Sequence, residues 1–268
     1  MIGDWAFSGC TSLQSIVIPD SVTTIGDGAF KDCSSLQSIE IPNSVTTIGD
    51  FVFDYCNNLT SITVSKNNPK YKSINNCILT KDGKKLISCR SHNIPDGVTM
   101  IGDWAFSGCT SLQSIVIPDS VTEIGCAAFE RCTSLKSIKI SNSVTMIEDG
   151  TFGGCTSLQS IDIPDSVTMI ENDAFENCTS LQSMVVPDSV TLIGWWAFNG
   201  CTSLKSIEIT TQEKQPGLSR ERIERILKIL SEYSKEISLR VPIGCGYAYR
   251  HHTAFEGKFK NIIADIDA

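Results

Sequence analysis

The chain has little positive charge, little histidine and no long apolar run. Its 268 residues carry 22 Lys and Arg against 30 Asp and Glu, a formal net charge of −8. Phosphate binding needs a basic footprint, so this balance argues against a nucleic-acid partner. His92, His251 and His252 are the only histidines. None lies in a recognisable nucleophile motif, which leaves Ser–His–Asp and Cys–His catalysis without support. No run of about 18 apolar residues exists, so no segment is expected to insert in a membrane. The N-terminus lacks the basic and apolar regions of a signal peptide. It starts in mid-repeat, which reads as a mature fragment or a truncated product.

What the sequence does contain is repetition. Residues 1–23, MIGDWAFSGCTSLQSIVIPDSVT, return letter for letter at 100–122. Phe7, Phe30, Phe53, Phe106, Phe129, Phe152, Phe175 and Phe198 are spaced by 23 residues, with one gap of 53. Cys10, Cys33, Cys56, Cys109, Cys132, Cys155, Cys178 and Cys201 keep the same beat. In one copy, Ile39 and Ile41 flank Glu40, the period-two signature of a strand with one buried face. Pro42 ends that strand because it has no N–H for a ladder. Val45 and Ile48 suggest a second short extended stretch, and Phe51–Cys56 reads as a short helical or 3₁₀ turn. A 23-residue coil cannot bury its apolar side alone. Stacked on its neighbours it forms one core, with parallel strands about 4.8 Å apart. The long gap holds an insertion at about 67–96, in which CILTKDGKKLIS reads as a hairpin with a type I′ turn at Asp82–Gly83.

The pattern I-P-D-S-V-T-x-I-G-D-x-A-F-x-x-C-T-S-L resembles the leucine-rich repeats of BspA-like bacterial surface proteins, over roughly residues 1–210, and the insertion resembles that family's elongated repeat. The buried asparagine of the broader leucine-rich-repeat pattern is missing, so its asparagine ladder is not assumed. The expected fold class is α/β and strand-rich: a solenoid of stacked parallel strands and short helical turns, with a C-terminal α/β cap. Two units follow, a solenoid over 1–210 with eight repeats and a cap over 211–268. In the cap, Ile223, Ile226, Leu227 and Leu230 mark an amphipathic helix at about 219–233, and ISLRVP at 237–242 repeats the strand-plus-proline.

The repeat cysteines read as inward-facing core thiols. Cys77, Cys89, Cys126 and Cys245 stand outside that ladder, and mostly reduced cysteine is expected. C-x-x-C is absent, and the pairing of Cys89 with His92, or of Cys245 with His251 and His252, makes half a metal site at best. No catalytic, cofactor-binding or metal site is assigned.

Two columns remain as candidate partner-binding residues. On the outward strand face a uniform serine column lies beside a variable one: Val17, Glu40, Thr63, Val116, Lys139, Asp162, Val185 and Glu208. Before the Ala–Phe pair, Trp5, Phe51, Trp104 and Trp196 alternate with Gly28, Ala127, Gly150 and Asp173, and Trp195 adjoins the last. A position that accepts Trp, Gly and Asp is expected to leave its aromatics at least half exposed. The family resemblance implies a non-enzymatic, monomeric, cell-surface or secreted adhesin-like module. Its partners are then host matrix proteins, other cells or surface glycans, bound multivalently. The free thiols and missing leader keep open an intracellular scaffold or effector.

Overall fold

The computed structural model describes residues 1–210, 238–241 and 261–264. Those residues form nineteen strands, numbered in chain order, and no helix. Each 23-residue unit makes one coil of the stack. A front strand comes first, then a two-residue second strand, then a turn that bends back to the front.

The front strands are β1 (Ser15–Ile16), β3 (Ser38–Ile41), β5 (Ser61–Val64), β10 (Ser114–Val116), β12 (Ser137–Lys139), β15 (Ser183–Val186) and β17 (Ser206–Ile209). β18 (Ser238–Val241) and β19 (Asn261–Ala264) continue the sheet from β17, all parallel. The register is the repeat itself: Ser15 opposes Ser38, Ser38 opposes Ser61, and Ser183 opposes Ser206. Shorter pairs make the second ladder, such as β2 (Thr24–Ile25) with β4 (Thr47–Ile48), and β13 (Met146–Ile147) with β14 (Met169–Ile170). The second extended stretch read from Val45 and Ile48 is this ladder.

Three side-chain stacks fill the coil interior. The repeat phenylalanines lie face to face, with ring centroids 5.4 Å apart for Phe7–Phe30 and 5.7 Å for Phe129–Phe152. The front isoleucines pack beneath them. Six repeat thiols, those of Cys33, Cys56, Cys132, Cys155, Cys178 and Cys201, then donate to the carbonyl of the preceding coil's phenylalanine: Cys56 Sγ to Phe30 O at 3.0 Å, Cys132 to Phe106 and Cys155 to Phe129, both at 3.2 Å. This cysteine ladder satisfies buried main-chain oxygens where other repeat proteins use asparagine, and it explains a small sulfur donor at that position. Cys10 is exposed and Cys201 half-buried; the other six ladder cysteines are buried, and all eight are free thiols.

The turn is not helical, contrary to the sequence reading. Two residues per coil are left-handed: Phe51 at φ 43° and Tyr55 at φ 56°, Trp104 at φ 51° and Gly108 at φ 64°. A left-handed residue stops a right-handed helix. The segment therefore closes as successive turns, Asp54 N–H to Phe51 O and Cys56 N–H to Phe53 O. Among the described residues the α/β class reduces to a strand-rich solenoid. The helix expected at 219–233 lies outside them, as do Cys245, His251 and His252.

The insertion is a three-stranded antiparallel meander, β6 (Tyr71–Ile74), β7 (Cys77–Thr80) and β8 (Lys85–Cys89). The expected hairpin is there, but its turn is not type I′. Gly83 alone is left-handed, at φ 81°, and its N–H bonds to Thr80 O. Cys77 and Cys89, opposite in register, form a disulfide; the sequence reading set both outside the ladder without pairing them. β8 then joins the second ladder through β9 (Met100–Ile101), which pairs onward with β11 (Glu123–Ile124). The apolar interior divides here. Ile78 belongs to the N-terminal cluster while Cys77 and Leu79 belong to the C-terminal one, so the two faces of β7 fasten both halves.

Candidate functional site

The front strands alternate strictly, so every second side chain leaves the core. Val17 is 89% exposed, and Glu40, Thr63, Lys139, Asp162 and Val185 are exposed beside it. Val116 is also exposed, whereas Glu208 is half-buried. Register aligns Glu40 with Thr63, Val116 with Lys139, Lys139 with Asp162, and Val185 with Glu208. Arg240, absent from the sequence-based column, is the next register partner of Glu208. The structure thus lines up the variable column in three registered stretches, Glu40–Thr63, Val116–Lys139–Asp162 and Val185–Glu208.

The second column is built on left-handed backbone in every coil. Trp5, Gly28, Phe51, Trp104, Ala127, Gly150, Asp173 and Trp196 all lie between φ 43° and 61°. This explains glycine and aspartate at the position, and it makes a tryptophan there costly by roughly 1 kcal/mol. Trp5 (49%), Trp195 (69%) and Trp196 (60%) are broadly exposed as expected. Phe51 and Trp104 are only partly exposed, which corrects the expectation for them. The cause is mutual packing: Phe51 lies 5.1 Å from Trp5 on one side and 5.1 Å from Trp104, edge-on, on the other. Trp5 reaches Phe51 by crossing Gly28, where a β-carbon would stand 2.6 Å from the indole.

Residues that the sequence reading passed over support this edge. Lys31 Nζ sits 5.5 Å from the Trp5 ring, 6.0 Å from Phe51 and 5.6 Å from Tyr55, within cation–π range. It also lies 3.6 Å from the carboxylate of buried Asp54, whose other oxygen accepts from Ser107 Oγ at 2.9 Å. Arg131 donates to Tyr55 Oη at 2.6 Å. Burial, the largest influence, raises the Tyr55 phenol. The signal for these residues was the second left-handed column, Gly9, Asp32, Tyr55, Gly108, Arg131, Gly154, Asn177 and Gly200, always four residues after the first.

Burial pushes the thiols of Cys56, Cys155 and Cys201 up to about 12. Such thiols are poor nucleophiles at neutral pH. Among the described residues no group of three metal-ligating side chains converges, and no helix is long and apolar enough to cross a membrane.

A stack of short parallel strands on a fixed repeat, with an extended outward face, defines a leucine-rich-repeat solenoid. The sequence model of the BspA type leucine rich repeat region matches residues 1–82 and 84–205 in six copies, and the chain belongs to that family. A leucine rich cell surface protein from Faecalibacterium prausnitzii A2-165 is similar at 37% identity and a TM-score of 0.71, over 84% of this chain and 59% of that one. The pneumococcal vaccine antigen PcpA shares the fold at 20% identity and a TM-score of 0.76, over 99% of this chain and 65% of that one. A leucine-rich repeat protein from Eubacterium ventriosum aligns at 26% identity and a TM-score of 0.55, over 81% of this chain and 70% of that one. The chain therefore spans less than two thirds of the first two. No curated protein matches it.

Proposed function

We propose that the chain is a non-enzymatic protein-binding module of a bacterial cell-surface or secreted protein, serving adhesion to host matrix proteins or other cells. One observation carries the reading. A backbone repeated in register holds an outward column of varying side chains, Glu40 beside Thr63 and Val116 beside Lys139 and Asp162. Invariant serines beside it keep the face flat, so many weak contacts along a rigid wall add to useful avidity. Similarity to a leucine rich cell surface protein of Faecalibacterium prausnitzii supports the location. In this reading residues 1–210 form the solenoid and 211–268 its cap, the cap closing an otherwise open strand edge. The aromatic edge from Trp5 through Phe51 to Trp104, with Trp195 and Trp196 further along, is a second contact surface for protein or glycan.

The test is binding of the chain to immobilised fibronectin, fibrinogen and a glycan array. The triple charge reversal Glu40→Lys, Lys139→Glu, Asp162→Lys is expected to weaken binding by about tenfold or more. Binding that survives the reversal unchanged moves the contact off the front sheet. An intracellular scaffold is the second reading, favoured by the nine free cysteines among the described residues. Protease shaving of intact cells separates the two, since only a surface protein is cleaved.

A further inference from the structure

Lys31, Asp54, Ser107 and Glu130 each follow a repeat phenylalanine, in four successive units. Stacking makes them rungs of one column, and only between Lys31 and Asp54 does that column set an amine beside a carboxyl. The main chain beneath the pair is pinned on both sides. Phe30 N–H donates to Val52 O at 3.0 Å, and Asp32 N–H donates to Asp54 O at 2.8 Å. Lys31 Nζ then lies 3.6 Å from Asp54 Oδ2, while Asp54 Oδ1 accepts from Ser107 Oγ at 2.9 Å. Asp54 and Ser107 are buried, and the lysine side chain is 24% exposed. The rings of Trp5, Tyr55 and Phe51 stand 5.5, 5.6 and 6.0 Å from the lysine nitrogen.

This arrangement suits a reaction better than an ion pair. Two charges taken out of water lose more than their attraction returns unless the geometry is tight. A separation of 3.6 Å is beyond the range of a good N–H···O bond. An amide between the two groups removes both charges. The aromatic walls keep water from reversing it. Ser107 Oγ donates to the oxygen that stays behind as the amide carbonyl, so it draws electrons from Cγ as the nitrogen approaches. The fixed coils also hold amine and carboxyl together, which spares the entropy of bringing them to one another. Glu130 competes little for the lysine: it pairs with Arg131 at 3.4 Å, and burial, the largest influence, raises its carboxyl.

We propose that Lys31 and Asp54 join in a side-chain amide, a covalent staple between the coils of Phe30 and Phe53. The lysine ammonium passes one proton to the aspartate carboxylate. The amine nitrogen then attacks Cγ, the Cγ–Oδ2 bond breaks, and Oδ2 leaves as water with the carboxyl proton and one proton from the nitrogen. No oxidant or co-reactant is consumed. The staple ties the first coils together against forces that would peel them from the stack. It is independent of the outward column, so its failure leaves the proposed function untouched.

The test is the mass of the purified, folded full chain, followed by denaturation, trypsin and peptide sequencing by fragmentation. The chain is expected to be lighter than its sequence by one water. Residues 1–66 are expected as one peptide uncut at Lys31, with fragments that join Lys31 to Asp54. Lys31→Arg keeps the cation but has no amine to acylate, and it is expected to restore the full mass, as is Asp54→Ala. A wild type of full mass that trypsin cuts at Lys31 overturns the proposal and leaves an ion pair. So does a peptide lighter by one water that is still cut at Lys31, since that loss is a succinimide at Asp27–Gly28. A water loss that persists in Lys31→Arg overturns it as well.

Discussion

Arg90 places Nη1 2.9 Å from the Sγ of Cys109, while its Nη2 donates to the carbonyl of Phe53. Phe53 O is the acceptor that Cys109 would take if the cysteine ladder ran on unbroken. With the meander intervening, Cys109 Sγ turns to Cys89 O at 3.4 Å, and the guanidinium spans the break. One side chain splices the two halves of the ladder.

Replacing Arg90 by Met is therefore expected to cost about 2–4 kcal/mol, because it leaves the buried Phe53 carbonyl without a donor. The loss falls at the boundary between the two apolar clusters. Urea unfolding followed by tryptophan fluorescence should change from one transition to two, the N-terminal coils melting first.

In the unbroken part of the stack, Phe129 lies between Phe106 at 4.9 Å and Phe152 at 5.7 Å and is fully buried. Phe129→Ala is expected to destabilise by about 3–5 kcal/mol, read from the urea midpoint. The rigid coils on either side restrict collapse into the cavity.

The thiols give the stability a pH dependence of known sign. Cys56, Cys155 and Cys201 are raised from 9.0 to about 12 by burial, so the unfolded chain loses these protons first. Their contribution is complete below pH 9 and drains away as the pH climbs from 9 towards 12. Melting temperatures measured from pH 8 to 11 should fall, and Cys155→Ala should flatten that fall while lowering the plateau.

Trp196 is exposed on a left-handed backbone at φ 56°, in a column where Gly28 and Gly150 also occur. Trp196→Gly relieves the backbone and is expected to leave stability unchanged or raise it by up to ~1 kcal/mol. A loss above about 1 kcal/mol in calorimetry would show that the indole packs into the fold.

The Cys77–Cys89 bridge closes a loop with a sequence separation of 12. Reduction is expected to cost about 3 kcal/mol, and alkylation before and after a reductant should differ by two thiols.

The coil was legible because its causes are local and repeated. Ile39, Glu40 and Ile41 fix a strand within a few residues, and the 23-residue beat fixes its neighbour. The turn was misread because left-handed positions advertise themselves through glycine, and here Trp5, Phe51, Tyr55 and Arg131 hold several of them. Their tolerance comes from main-chain bonds to the next coil, such as Trp5 N–H to Asp27 O and Arg131 N–H to Gly153 O. No local window contains those partners. The outward direction of the front column follows from alternation alone, with Glu208 half-buried at its end. The aromatic edge was half read, since Trp5 and Phe51 meet only by crossing Gly28. Arg90 and the Cys77–Cys89 pair depend on how the meander folds back, which the beat does not encode.

Side-chain oxygens at the start of five turns, those of Asp4, Asp27, Asp103, Asp149 and Asn172, give the stack a further property. Asp4 Oδ1 accepts from Asp27 N–H and Asp27 Oδ1 from Asp50 N–H, both at 3.0 Å, and Asn172 Oδ1 takes Trp195 N–H at 2.8 Å. Each acceptor needs only an amide hydrogen above it, whatever side chain that residue carries. Whole units can thus be spliced in or out of the gene without disturbing the joints on either side, and the molecule can grow or shrink like a ruler cut at its graduations.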